Sequence, residues 1–264
     1  MTLPFRVAPV SPTPVFRGTP LPLLEAVAAP PRASFSGLCV TGLHVWPSTL
    51  AALRHLETLP LPLGARYLDI SAGAGLLALA LAAAGGPAAS VFATELPSSL
   101  PLLSANTAAA ARITPCAHAW GAPLPPAATA RGGGGGGLHL AVACDVLHCA
   151  VRDGAVEALA ATLAEAALAA EAGVLVVWEV RSAAAEAAAL ARAVVAGAGA
   201  LEVGAPARLS VAGLRGRGVG HPDGDIFLPP SLFPEAEEVE EEGGEGEGAG
   251  RVVLACILRR RRGP

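Results

Sequence analysis

The chain has 264 residues, 53% hydrophobic and 15% charged, with a formal net charge of −4. That length and apolar fraction supply a buried core for one large or two small domains and exclude a disulfide miniprotein or a disordered polymer. Fifty-nine residues are alanine and only 4% are aromatic, so the core must be built from small side chains. All eighteen basic residues are arginine, a bias that points to codon composition more than to selected chemistry.

Residues 1–34 read as a Pro-rich extension. Arg6 and Arg17 precede the first acid, Glu25, as in an organellar transit peptide, but five prolines by Pro20 break any amphipathic helix there. From Tyr67 strand and helix alternate. Tyr67 to Ser71 is a strand-like run, then a glycine turn, then a helix over Leu76 to Ala84. Ser90 to Glu95 reads as the next strand and Ser98 to Ala111 as the next helix, with a third strand over Arg112 to His118. Leu138 to Cys144 and Val174 to Val180 are continuous apolar runs, followed by helical patterns over Gly154 to Ala170 and Ala183 to Val195. Unbroken apolar strands alternating with helices predict an α/β domain of the Rossmann-like, doubly wound kind, with ligands beyond the carboxyl ends of the strands. Arg208 to Gly213 and Arg251 to Leu258 are two further strands expected to pair as an antiparallel edge. The organisation is therefore a core over 35–213, a loop insertion over 214–250, and a last strand with a basic tail over 251–264.

Several function classes lack support. Six glycines in a row, Gly132 to Gly137, read as a flexible surface loop, since no Gly-Lys-Ser/Thr follows to make a phosphate cradle. Eight glutamates between Glu235 and Glu247 read as a disordered acidic run and leave the rest mildly basic, which is slight support for a nucleic-acid partner. Cys39, Cys116, Cys144, Cys149 and Cys256 are scattered, and His44, His55, His118, His139 and His221 show no ligand spacing, so neither disulfides nor a metal site is expected. The longest uncharged stretch, Ile70 to Thr94, is opened by glycines and cut by Gly85-Gly86-Pro87, leaving a core-length helix and no membrane span. A cytoplasmic monomer is the expectation.

The sharpest local signal is Leu68-Asp69-Ile70-Ser71-Ala72-Gly73-Ala74-Gly75-Leu76, with Glu95 at the end of the following strand. Glycines let the backbone approach a ligand, the helix start presents unpaired N–H groups, and an acid about twenty residues on accepts hydrogen bonds from ribose hydroxyls. Gly73-x-Gly75-x-x-Ala78 also passes as a dinucleotide fingerprint, and a plain tight turn has the same pattern. Asp69 is awkward for a pyrophosphate but can hold a cationic or amino-bearing ligand or anchor the glycine loop.

Asp69, Ser71, Gly73 and Gly75 match the first motif of the seven-strand S-adenosylmethionine-dependent methyltransferases, which this segment resembles. Gly42 to Ser48, Thr94 to Pro97, Ala119 to Gly121 and Ala143 to His148 are similar, in order and spacing, to the methyltransferase-like (family 16) group of non-SET protein-lysine methyltransferases. The resemblance spans roughly residues 35–200. It implies a seven-stranded, mainly parallel sheet with an antiparallel edge hairpin, S-adenosyl-L-methionine as cofactor, and transfer to a protein side chain, lysine above all. It further implies that Trp46 lies against the methionine end, that Asp69 and Ser71, Ala72, Gly73 and Gly75 wrap the middle, that Glu95 binds the ribose, that Trp120 contacts adenine, and that Cys144 adjoins the same pocket. Asp145 and His148 stand where the family has Asp-x-x-Tyr and are the catalytic candidates; histidine replaces tyrosine here. Two rivals remain open: a nicotinamide-dependent reductase, opposed by the lack of any Tyr-x-x-x-Lys, and a non-catalytic docking module of the same fold.

Overall fold

A computed structural model describes residues 7–26, 40–129, 137–210 and 252–261. Glycines 132–136, the acidic run, Cys39, His221 and Arg262 lie outside the described residues.

The described chain begins with short strands β1 (Val7–Pro9), β2 (Val15–Phe16), β3 (Thr19–Pro20) and β4 (Leu24–Ala26), paired β1 with β4 and β2 with β3. A 3-10 turn, Val40–Leu43, leads to α1 (Pro47–Thr58). Then come β5 (Arg66–Ile70), α2 (Leu76–Gly85), β6 (Ser90–Glu95), α3 (Leu100–Thr107), β7 (Ile113–Ala117), α4 (Pro126–Thr129) and β8 (Leu138–Cys144). The order ends with α5 (Val146–Arg152), α6 (Val156–Ala169), β9 (Val174–Glu179), α7 (Ala183–Ala196), β10 (Leu201–Val203), β11 (Ala207–Leu209) and β12 (Val253–Arg260).

The main sheet has the order β10-β12-β9-β8-β5-β6-β7. Strands β7, β6, β5, β8 and β9 run parallel, and β12 runs antiparallel to β9. The antiparallel edge is more elaborate than one hairpin. β12 uses both of its edges, pairing with β9 on one side and with β10 and β11 at opposite ends of the other.

Side-chain alternation divides the core between the two faces of the sheet. Leu175, Val177, Val253 and Ala255 join Tyr67, Leu140 and Val142 under α1, α2 and α3. Val174, Val176, Trp178, Leu254 and Cys256 join Leu68, Ile70 and Ala143 on the other face, with Leu159, Leu163 and Leu190 from α6 and α7. Both faces are covered, so the strands carry no polar alternation. Trp178 is the largest of the fully buried side chains, and alanines such as Ala160, Ala166, Ala189 and Ala193 fill the helix contacts. Phe16, Leu21 and Leu23 of the N-terminal segment belong to the first cluster, so this segment is packed onto the domain. Among the described residues no helix is long and apolar enough to cross a membrane, and no group of three His, Cys, Asp or Glu could hold a metal.

Candidate ligand-binding site at the strand ends

Parallel strands bring Ile70, Glu95, Cys144 and Glu179 to one edge of the sheet. A cavity of about 340 Å³ opens there, within the roughly 300–1,000 Å³ typical of small-molecule sites. The fold that positions it is Rossmann-like.

The floor is the turn between β5 and α2. Ser71, Gly73 and Gly75 all take positive φ, at 59°, 56° and 92°. The turn is tied to β6: Ala72 donates its N–H to the Thr94 carbonyl at 2.8 Å, and Thr94 Oγ1 donates to the Asp69 carbonyl at 3.2 Å. Glu95 closes it, with Oε2 accepting the Gly73 N–H and Oε1 the Leu96 N–H, both at 2.8 Å. Gly42, from the 3-10 turn, caps the arrangement: a Cβ on Gly73 would lie 3.2 Å from the Gly42 carbonyl oxygen.

Asp69 sits below this turn, 1% exposed, and its Oδ2 has no hydrogen-bond partner. Burial lifts its carboxyl to about 7, opposed by the Ala78 N–H and reinforced by the neighbouring Glu95 charge. Opposite, Trp120 Nε1 donates to Ser71 Oγ at 2.9 Å, which fixes the indole against the loop. Trp46 stands edge-on to His44, with ring centroids 6.2 Å apart. Cys144 donates to Thr49 Oγ1 at 3.9 Å, and burial pushes its thiol above the ordinary range.

Trp46, Asp69, Ser71, Ala72, Gly73, Glu95, Trp120, Cys144 and Asp145 all line this one cavity. Gly75 and His148 do not. Gly75 turns toward α3, where an added Cβ would lie 2.8 Å from Leu103 Cδ1. His148 lies one helical turn along α5, outside the cavity lining.

Asp145 has φ 58° at the start of α5, and its carboxylate is held by a residue that local reading passes over. Arg181 donates from Nη1 to Oδ1 at 2.8 Å and from Nη2 to Oδ2 at 2.9 Å. Arg181 Nη2 also reaches Glu179 Oε2 at 3.3 Å, and the Glu179 N–H donates to Asp145 Oδ1 at 3.3 Å. Buried Glu186, one turn into α7, accepts the Arg181 backbone N–H. Its carboxyl is pushed up to about 7 by burial, against the pull of the Arg181 and Ser182 N–H groups. The signal for this cluster was an acid and an arginine, Glu179 and Arg181, ending an otherwise apolar strand.

No family model matches the chain, and no curated protein matches it. Solved structures do. Fibrillarin from Aeropyrum pernix, solved with natively bound S-adenosyl-L-methionine, is 15% identical over 78% of this chain and 72% of its own, with a TM-score of 0.47. The Haloferax volcanii complex of the Trm112 methyltransferase activator and a methyltransferase partner is 12% identical over 81% and 90%, with a TM-score of 0.49. TrmN from Thermus thermophilus is 15% identical over 81% of this chain and 49% of its own, with a TM-score of 0.46. Identities this low leave the family open, and the fold rests on the strand order itself.

Proposed function

We propose that the chain binds S-adenosyl-L-methionine in this cavity and transfers its methyl group to a protein side chain, lysine being the acceptor that the sequence resemblance implies. The observation that carries the reading is the charge of the lining. Asp69, Glu95, Asp145 and Asp153 line the cavity, with Asp145 paired to Arg181 and Asp153 to Arg152, and among the described residues no arginine lines it. A sulfonium that also bears an ammonium suits a lining that holds the Glu95 carboxylate and no arginine better than the pyrophosphate of a dinucleotide does.

The local geometry suits the cofactor in two further respects. The close approach of Gly42 to Gly73 leaves no room for a side chain at that point of the turn, and Asp69 Oδ2 beside the cavity is a buried polar atom without a hydrogen-bond partner. In this reading Glu95 takes the ribose hydroxyls, the Ser71–Gly75 turn supports the middle of the ligand, Trp120 lies by the adenine and Trp46 by the methionine end. Bound there, the cofactor would supply an electrophilic methyl group to a nitrogen lone pair, with the neutral thioether as leaving group and the acceptor's proton passing to solvent. The chain's own contribution is alignment, because the positive charge only passes from sulfur to nitrogen as the methyl moves.

A second reading is a docking module that binds the cofactor without using it. It is favoured by the withdrawal of His148 from the cavity lining and by the occupation of both Asp145 oxygens by Arg181. Calorimetric titration with S-adenosylhomocysteine tests the common core of both readings; absence of heat and of any thermal shift at millimolar ligand ends them together. Labelled methyl transfer to a heat-inactivated protein extract separates them. The chain contains no lysine, so label recovered on lysine belongs to the acceptor and never to the chain itself.

A further inference from the structure

The Asp145–Arg181 pair raises a question that the methyl-transfer reading does not answer. An amine accepts a methyl group only through its lone pair, so a site that stabilises the ammonium form works against transfer. A bare carboxylate beside the acceptor would do that, by favouring the charged form of its neighbour. Here the carboxylate that lines the cavity, Asp145, is not bare. Its two oxygens face the two terminal nitrogens of Arg181 at 2.8 and 2.9 Å in a fork-to-fork geometry.

The surroundings explain why a guanidinium stands there. Glu179 from β9 accepts from the Arg181 guanidinium, and Glu186 from α7 accepts its backbone N–H. Arg181 and Asp145 are 14% and 13% exposed at their side chains, so water screens the group poorly. Without Arg181, Asp145 would present its negative charge to the cavity end. Arg181 itself is absent from the cavity lining and acts through Asp145.

We propose that Arg181 is a specificity-determining positioning residue: by capping Asp145 and Glu179 it removes the counter-ion that a protonated acceptor would seek, so that the cavity end selects the neutral form of an amine. The proposal rests on the cofactor reading above and names the protonation state of the substrate class that this reading leaves open. Asp145 then serves as a fixed wall and hydrogen-bond acceptor rather than as an ion-pair partner for the incoming side chain.

The test uses two ligands, needs no acceptor, and is run on the full chain at one pH. S-adenosylhomocysteine is a neutral thioether at the reacting position, and sinefungin carries a primary amine where the transferable methyl would be. Their affinities are measured by calorimetry for wild type, Arg181→Met, Arg181→Lys and Asp145→Asn with Arg181→Met. Arg181→Met is expected to raise the preference for sinefungin over S-adenosylhomocysteine about tenfold while the latter's own affinity changes less than about twofold. Arg181→Lys keeps the positive charge and should hold the wild-type preference, and the double variant should return toward it. A general loss of folding would weaken both ligands together and leave their ratio alone, so the ratio reports charge and not stability. An unchanged or lowered sinefungin preference in Arg181→Met overturns the role of Arg181 and leaves the cofactor reading intact. Failure of wild type to bind either ligand overturns that reading and this proposal with it.

Discussion

Glu95 holds the backbone of Gly73 directly, its Oε2 accepting the glycine N–H at 2.8 Å across the mouth of β5 and β6. The carboxylate is therefore both a strut for the glycine turn and a wall of the cavity. Replacing it removes two functions at once. Glu95→Gln keeps the shape but offers one acceptor oxygen for two N–H donors. S-adenosylhomocysteine affinity should fall roughly ten- to a hundredfold, or about 1.5–3 kcal/mol, the range for a hydrogen bond to a charged group. Calorimetry reads this directly, and an affinity within twofold of wild type would show that Glu95 serves the loop alone.

Gly75 in the β5–α2 turn and Gly42 in the 3-10 turn should respond differently to an added methyl group. At Gly75 a Cβ would lie 2.8 Å from Leu103 Cδ1 with φ at +92°, so Gly75→Ala combines a strained backbone with a clash in the core. It should cost roughly 2 kcal/mol, about 4–8 °C in Tm for a domain of this size. At Gly42 φ is ordinary and the nearest atom is Glu95 Oε2 at 3.4 Å, a normal contact. Gly42→Ala should leave Tm within about 2 °C and instead narrow the cavity, weakening ligand binding. Equal melting temperatures for the two variants would refute the assignment.

Buried carboxyls make stability depend on pH in a defined direction. Asp69 rises from 3.8, and Glu186 from 4.5, each to about 7 because burial disfavours the charged form. The folded state therefore holds protons that the unfolded chain has released between about pH 4 and pH 7. Their stabilisation is complete below the unfolded values and is lost as pH rises through that window, levelling off above about 7. Asp69→Asn should flatten the Tm profile between pH 5 and 7 and raise Tm at pH 8, with Glu186→Gln adding to the effect. A variant profile parallel to wild type would contradict the burial account.

Asn106 joins the N-terminal segment to the site. Its side chain accepts from the Leu24 N–H at 2.8 Å and donates to the Leu24 carbonyl at 2.9 Å and the Ala74 carbonyl at 2.8 Å. Asn106→Ala should speed hydrogen exchange at Leu24 and in the Ala74–Gly75 turn together, at a cost of about 1–3 kcal/mol. Faster exchange at Leu24 with the turn unaffected would mean that the two are anchored separately.

The sequence by itself determined the alternating strands and helices and the glycine turn with its acid. Ser90–Glu95 and Leu138–Cys144 lie within the bounds that their apolar patterns predict, and Leu76–Gly85 differs by one residue. These features are local: two-residue alternation, unbroken apolar runs and the need for positive φ at Gly73 and Gly75 are all written within a few positions. The short strands β1 to β4 and β10 escaped that reading, because segments of two or three residues carry no period. Tertiary structure alone decided that β12, from the far end of the chain, lies between β9 and the paired β10 and β11. It also decided the partner of Asp145. Three positions along α5 suffice to turn His148 out of the cavity lining, while Arg181, thirty-six residues away, arrives from the end of β9. Spacing along a chain measures how far apart two residues can be; which way a helix is rolled, and which strand end stands beside it, depends on the packing of α5 against α7 and β9, which no local pattern contains.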